Sequence, residues 1–249
     1  MLAEAAGYTA RPVGVPDLSA IVLCYRAEES IEDVIRPLYE QLEQAGIDFE
    51  LVLVANYHDG QPDRTPEIVR AFAVEHPRSR PVIQAKQGAM GWDMRMGFEA
   101  ATARHLVVID GDSQNPVEDV LRMYREMVRT GVPVMKGRRI ARFDGLKRRL
   151  VSFVYNSFFV VLFRTRGIWD INGKPKGMTR EAYERLALTS DDWFIDAEIV
   201  VKARRAGLSV GELPVVFQRN DERASFVRAS AVLEFLRNMA RARLGRWGR

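Results

Sequence analysis

The 249 residues predict an α/β fold, a mostly parallel, doubly wound sheet with helices on both faces, and three observations carry the prediction. Short apolar runs alternate with stretches of helical period, the pattern of repeated strand-helix units joined by right-handed crossovers. Those runs are apolar throughout, as in strands buried on both faces. One of them, Leu106-Val107-Val108-Ile109, stops abruptly at Asp110-Gly111-Asp112. Open α/β sheets hold their ligands beyond such strand ends.

Taken in order, Ala20 to Tyr25 reads as the first buried strand, and Ser30 as the N-cap of a helix carrying Ile31, Val34, Ile35, Leu38 and Leu42. Gly46 closes that helix. Phe49 to Val54 is the second strand, and Thr65-Pro66 opens a helix that ends near Pro77. A third short strand covers Pro81 to Gln84. Gly88, Gly91 and Gly97 punctuate a segment that begins as a loop and becomes a helix through Phe98 and Ala101. After the acidic strand, Asn115 reads as a helix N-cap with Pro116 at the first helical position.

Composition sets the surroundings. An apolar content of 47% supplies an ordinary globular core, and Cys24, the only cysteine, allows no intramolecular disulfide. Met1 to Asp17 has neither a basic start nor a long apolar run, which predicts no signal peptide and a cytoplasmic protein. The net charge of +4 conceals an asymmetry: residues 1–120 hold 10 basic and 20 acidic side chains, residues 121–249 hold 27 and 13. A basic second half suits a phosphorylated acceptor or an anionic surface. Nucleic acid is not expected, because no docking motif or interleaving of basic residues with aromatics is present.

Asp110, Asp112 and Gln114 offer hard oxygen ligands, the kind that suit Mg²⁺ or Mn²⁺ when substrate phosphates complete the shell. An Asp-Gly turn that merely caps a helix would use the same residues. Gly88-Ala89-Met90-Gly91 matches neither a dinucleotide fingerprint nor a P-loop, since no Gly-Lys-Ser/Thr follows. Its glycines either shape a loop or let backbone approach a ligand closely.

The order of Tyr25 with Glu28-Glu29, Asp59-Gly60 with Asp63-Arg64-Thr65, Gly88 to Gly97, and Asp110-Gly-Asp112-x-Gln114-x-Pro116 resembles that of the family 2 glycosyltransferases of GT-A fold, a Rossmann-like architecture, and most of all the dolichyl- and polyprenyl-phosphate sugar synthases. The resemblance covers roughly residues 18–230, the expected catalytic domain, between an N-terminal extension (1–17) and a basic C-terminal segment (231–249). It implies that Asp110, Asp112 and Gln114 bind the divalent metal bridging the diphosphate of a nucleotide sugar. Tyr25, Glu28, Asn56, Asp59 and Gly88 would then hold the donor. Two departures stand out: Leu23-Cys24-Tyr25-Arg26-Ala27-Glu28 replaces Pro-x-Tyr-Asn-Glu, and Asn56-Tyr57-His58-Asp59-Gly60 replaces Val-Asp-Asp-Gly-Ser. Either Asn56 or Asp59 takes the place of the base-reading carboxylate.

The second half extends the resemblance. Gly137-Arg138-Arg139 is similar to a Gly-x-Arg element, and Arg148, Ser152 and Asn156 follow at spacings that share one helix face. The resemblance assigns Arg139, Arg148, Ser152 and Asn156 to the phosphate of a lipid acceptor. Asp170-Ile171-Asn172-Gly173 resembles the Asp-x-x-Gly loop, Asp196 and Glu198 an acidic helix start, and Arg219, Arg223 and Ser225 a loop over the diphosphate. An ionised phosphate acceptor needs no general base, whereas a saccharide hydroxyl would need a carboxylate such as Asp196. A non-catalytic sugar-nucleotide-binding protein is the third reading.

Two further stretches bear on the membrane. Residues 150–163 form an apolar run too short to span a bilayer, which takes about 20 residues, and basic residues flank it. Residues 226–249 combine six arginines and one glutamate with an apolar stripe. Both would suit peripheral contact with an anionic surface, or burial in a core or homo-oligomer interface.

Overall fold

A computed structural model describes residues 14–142, 159, 162–163 and 167–218. It has β1 (Leu18–Leu23), α1 (Glu32–Gln44), β2 (Phe49–Val54), α2 (Thr65–Glu75), β3 (Ser79–Val82), α3 (Met90–Ala100), β4 (His105–Asp110), α4 (Glu118–Thr130), β5 (Val134–Arg142), β6 (Lys176–Thr179), α5 (Arg180–Leu186), α6 (Ile195–Arg205) and β7 (Val210–Phe217). The sheet order is β3-β2-β1-β4-β6-β5-β7. Every pairing is parallel except those of β6, which runs antiparallel to both β4 and β5.

The expected sheet is therefore present, with one antiparallel strand inserted beside the acidic one. Strands β1, β2 and the interior of β4 are buried, as continuous apolar runs require. One apolar cluster lies on the α1, α2 and α4 side, built on Ile35, Leu38, Val69, Val120 and Met127. The other lies under α3, α5 and α6, with Met94, Phe98, Leu186, Ile195 and Ile199. Leu23 pairs with Asp110, so the ends of β1, β2 and β4 reach one edge together.

Two caps differ from the sequence reading. Ser30 lies in a 3-10 turn, Glu28–Ile31, ahead of α1, where its hydroxyl donates to the Ala27 carbonyl at 2.6 Å. Helix α4 starts at Glu118 rather than beside Asn115, whose side chain turns inward instead. Strands β1 and β3 each begin two residues earlier than expected, so Tyr25 lies in the loop beyond β1.

Within the apolar stretch 150–163, Phe159 is fully buried against Ile168, Ile171, Phe194 and Val200, and Leu162 and Phe163 pack on the same cluster. At these positions the stretch contributes to a core. Among the described residues no helix is long and apolar enough to cross a membrane. Arg148, Ser152, Asn156, Arg219, Arg223, Ser225 and residues 231–249 lie outside the described residues.

Candidate active site

Two loops at the carboxyl edge of the sheet hold backbone in the left-handed region without glycine: Arg26 (φ 49°) and Glu28 (φ 48°) after β1, and Ser113 (φ 59°) in the acidic turn. Such conformations cost free energy and persist where surrounding structure enforces them, often at binding sites.

Beyond β1 and β2, Tyr25 sits with His58 edge-on to its ring, centroids 6.0 Å apart, and the Lys86 ammonium 4.3 Å from its centroid. Lys86 also pairs with buried Asp93 at the start of α3. Burial raises the Asp93 pKa and lowers that of Lys86, and their mutual attraction only partly offsets it. Asn56 is buried: its Nδ2 donates to Asp93 Oδ1 and its Oδ1 accepts the Gln84 N–H, both at 2.9 Å. Asp59 is exposed at a turn completed by Gly60, and the Glu28 N–H donates to Thr65 Oγ1. Of the two base-reading candidates, Asn56 is thus committed to the scaffold and Asp59 faces solvent.

Gly88 and Gly91 are small because of protein, not open space. A Cβ on Gly91 would lie 2.6 Å from the Ser190 carbonyl oxygen, and one on Gly88 2.8 Å from that of Asp191. The N–H groups of Ala89, Gly91 and Trp92 donate to the carbonyls of Asp191 and Asp192. Glu198, fully buried on α6, fixes that partner segment by accepting from Thr189 and Ser190 N–H.

The acidic turn is the centre of the site. Asp112 Oδ1 accepts the Gln114 N–H at 3.0 Å, and the backbone of Gln114 pairs with Gln218 beyond β7. Asn115 donates from Nδ2 to the Lys174 carbonyl at 2.9 Å. The Lys174 ammonium in turn donates to Asp110 Oδ1 at 2.7 Å and lies 3.3 Å from Met90 Sδ. Burial alone would push its pKa down; the charges of Asp110, Asp196 and Asp112 reverse this and hold it above its ordinary value.

Lys174 is carried by a loop fastened from below. Lys136 on β5 donates to the Asp170 carbonyl (2.5 Å) and to Glu212 Oε1 on β7 (2.8 Å). Lys176 on β6 donates to the carbonyls of Ile171 (3.0 Å) and Gly173 (2.9 Å) and pairs with Asp196 Oδ1 (2.8 Å). Burial lowers the Lys176 pKa to about 8, only partly opposed by Asp196. The Arg139 guanidinium closes on the Asp170 carboxylate, and a Cβ on Gly173 would lie 2.8 Å from the Gly137 carbonyl carbon. Lys174 thus brings the loop before β6 onto the carboxyl end of β4.

The profile of the family described as Glycosyl transferase family 2 matches residues 19–187. This chain belongs to that family. Among its relatives, Glycosyltransferase AglD of Haloferax volcanii is 32% identical over 85% of this chain, which spans 35% of the relative's length. A dolichyl-phosphate beta-glucosyltransferase of Trichomonas vaginalis is 24% identical, covering 92% of this chain and 75% of that protein. A dolichol-phosphate mannosyltransferase of Pyrococcus furiosus is 24% identical over 90% of this chain, which spans 63% of its length. In structure the chain is similar to glucosyl-3-phosphoglycerate synthase from Mycobacterium tuberculosis, solved in complex with Mn²⁺, uridine-diphosphate and phosphoglyceric acid. That likeness has a TM-score of 0.69 at 19% identity, covering 94% of this chain and 79% of the other, and it establishes the GT-A fold.

The acidic turn of this family 2 chain fits a hard divalent cation in its donor chemistry. Lys174 reaches Asp110 from the buried side: the lysine side chain is 3% exposed while the carboxylate keeps 31%. Part of the Asp110 carboxylate thus remains exposed, two residues before the partly exposed Asp112. Among the described residues no three carboxylate, histidine or cysteine side chains converge, so a cation here would draw its remaining ligands from elsewhere.

Lys174, Lys86, Asp93, Lys136 and Lys176 were not singled out from the sequence of this family 2 member. The signal existed for Lys136, a lone charge in the apolar start Val134-Met135 of its strand. Lys174-Pro175-Lys176 reads as a solvated loop, and only the antiparallel β6 takes it inside.

Proposed function

We propose that this chain transfers a sugar from a nucleoside diphosphate sugar to a polyprenyl or dolichyl phosphate, with inversion at the anomeric carbon. One acceptor phosphate oxygen attacks that carbon as the bond to the diphosphate breaks, and the electron pair leaves with the nucleoside diphosphate. Tyr25 would pack against the nucleoside, with Asp59 as the exposed polar group beside it. Asp110, Asp112 and Gln114 would hold Mg²⁺ or Mn²⁺, which when bound supplies positive charge to the leaving diphosphate. Arg219, Arg223 and Ser225 would face the same group, while Arg148, Ser152 and Asn156 would receive the acceptor phosphate through charge-assisted hydrogen bonds. Arg139, held on Asp170, would shape the acceptor side.

The observation that carries the acceptor class is the state of Asp196, 3% exposed and ion-paired with Lys176. A carboxylate so committed is a poor general base, and a phosphate acceptor needs none. The names of the two dolichyl-phosphate relatives point to the same acceptor class, and the uridine-diphosphate complexes of the structural neighbour suit a nucleoside diphosphate sugar as donor. The excess of basic residues after residue 120 suits a peripheral position on the cytoplasmic face of a membrane.

The test is nucleoside diphosphate release from a panel of sugar nucleotides with Mn²⁺, with and without polyprenyl phosphate. Release stimulated by the lipid phosphate is expected. Stimulation by free saccharides instead would replace the acceptor, and binding of sugar nucleotide without turnover in any combination would make the chain a binding protein.

A further inference from the structure

The buried approach of Lys174 to Asp110 gives the acidic turn a fixed positive charge beneath the two carboxylates. Its position is over-determined. Asn115 holds its carbonyl, Met90 Sδ lies against its ammonium, and Lys136 and Lys176 fasten the carbonyls of the loop that precedes it. The ammonium rests 2.7 Å from Asp110 Oδ1 with its side chain 3% exposed. A cation that arrives alone from solvent meets carboxylates already partly neutralised. A cation that arrives with a diphosphate brings two or more negative charges, which the ammonium attracts rather than repels.

We propose that Lys174 is a positioning residue that sets the relative affinities of the acidic turn for cation and diphosphate: it weakens divalent-cation binding to the empty turn and strengthens binding of the diphosphate that accompanies the cation. The inference rests on the metal-site reading of Asp110 and Asp112 given above. Lys174 thereby keeps the protein from collecting free cations and reserves the loaded state for the nucleotide.

The experiment is equilibrium Mn²⁺ binding, read from the free Mn²⁺ signal in electron paramagnetic resonance. It is run on the wild type, Lys174→Gln and Lys174→Met, each alone and with UDP or GDP, with circular dichroism to confirm folding. In the wild type, Mn²⁺ alone should bind weakly and the better nucleotide should tighten it strongly. In either variant, Mn²⁺ alone should bind about tenfold more tightly, and about tenfold more UDP or GDP should be needed to tighten it further. Lys174→Met keeps an unbranched apolar stem that can pack on Met90, so it serves where the glutamine fails to fold. Unchanged Mn²⁺ affinity and unchanged nucleotide affinity in a folded variant would overturn the proposal while leaving the metal site intact. Absence of Mn²⁺ binding to every protein, with or without nucleotide, would instead remove the metal-site reading and this inference with it.

Discussion

Arg139 grips Asp170 with both arms of its guanidinium, Nε to Oδ2 and Nη2 to Oδ1, each at 2.7 Å, while its own N–H donates to Oδ2 at 3.1 Å. Burial pushes the Asp170 pKa up, but the Arg139 hydrogen bonds and charge, helped by Lys136, outweigh it and hold the carboxyl at about 2. Its pKa in an unfolded chain is 3.8. A carboxyl whose folded value lies below its unfolded one stabilises the fold above the unfolded value and loses that contribution as pH falls toward the folded one. The difference between 3.8 and about 2 corresponds to about 2 kcal/mol. Denaturant titrations should show Asp170→Asn less stable than wild type by about that much near pH 6, with the gap closing between pH 4 and 2. A gap that persists unchanged at pH 2 would show that charge is not the cause.

Removing the charge at Asp112 should abolish transfer and spare the fold. The side chain lies at the partly exposed turn after β4, and asparagine retains the oxygen that accepts the Gln114 N–H. Loss of one electrostatic contact to a transition state typically costs on the order of 10²-fold in rate or more. Turnover of folded Asp112→Asn at the wild-type rate would contradict the metal-site reading.

Gly91→Ala should destabilise the protein by about 2 kcal/mol, because a methyl there meets the carbonyl oxygens of Ser190 and Asp192, backbone that Glu198 holds in place. Thermal melts compare it with Gly46→Ala, where nothing lies within 4 Å and only the positive φ of 64° is strained. A larger loss at position 46 would mean that the contact between α3 and the 190–192 segment is loose.

Arg148→Ala should raise the concentration of lipid phosphate needed for half-maximal rate by about tenfold or more, with little change in the requirement for sugar nucleotide. Steady-state kinetics with each substrate varied in turn measures both. Equal effects on the two substrates would assign the residue to the scaffold.

The parts of the fold that were legible in the sequence are those where a local pattern and the tertiary environment agree. The apolar runs of β1, β2 and β4 and the proline start of α2 needed no knowledge of their neighbours. The end of β4 at Asp110 was legible because a carboxylate and a glycine break the apolar run that precedes them. Ser30 and Asn115 misled for one reason: a short polar side chain serves as a cap only when it accepts from helix N–H groups, and here one hydroxyl and one amide donate to carbonyls instead. The lysines beneath the site were not legible, because a lysine is read as exposed until its partners are known, and Asp110, Asp196 and Glu212 lie 64, 20 and 76 residues from Lys174, Lys176 and Lys136.

Stiffness follows from the contact between Gly137 and Gly173. With bare backbone against bare backbone there is no side-chain layer to compress, and packed interiors pass displacement on rather than absorb it. The Gly137 N–H donates to the Pro175 carbonyl at 2.7 Å, which ties the strand to the loop on the other side of Lys174 as well. The segment bearing the ammonium therefore moves only as the sheet moves, and the spacing between ammonium and carboxylate is a dimension of the frame, set before any ligand arrives.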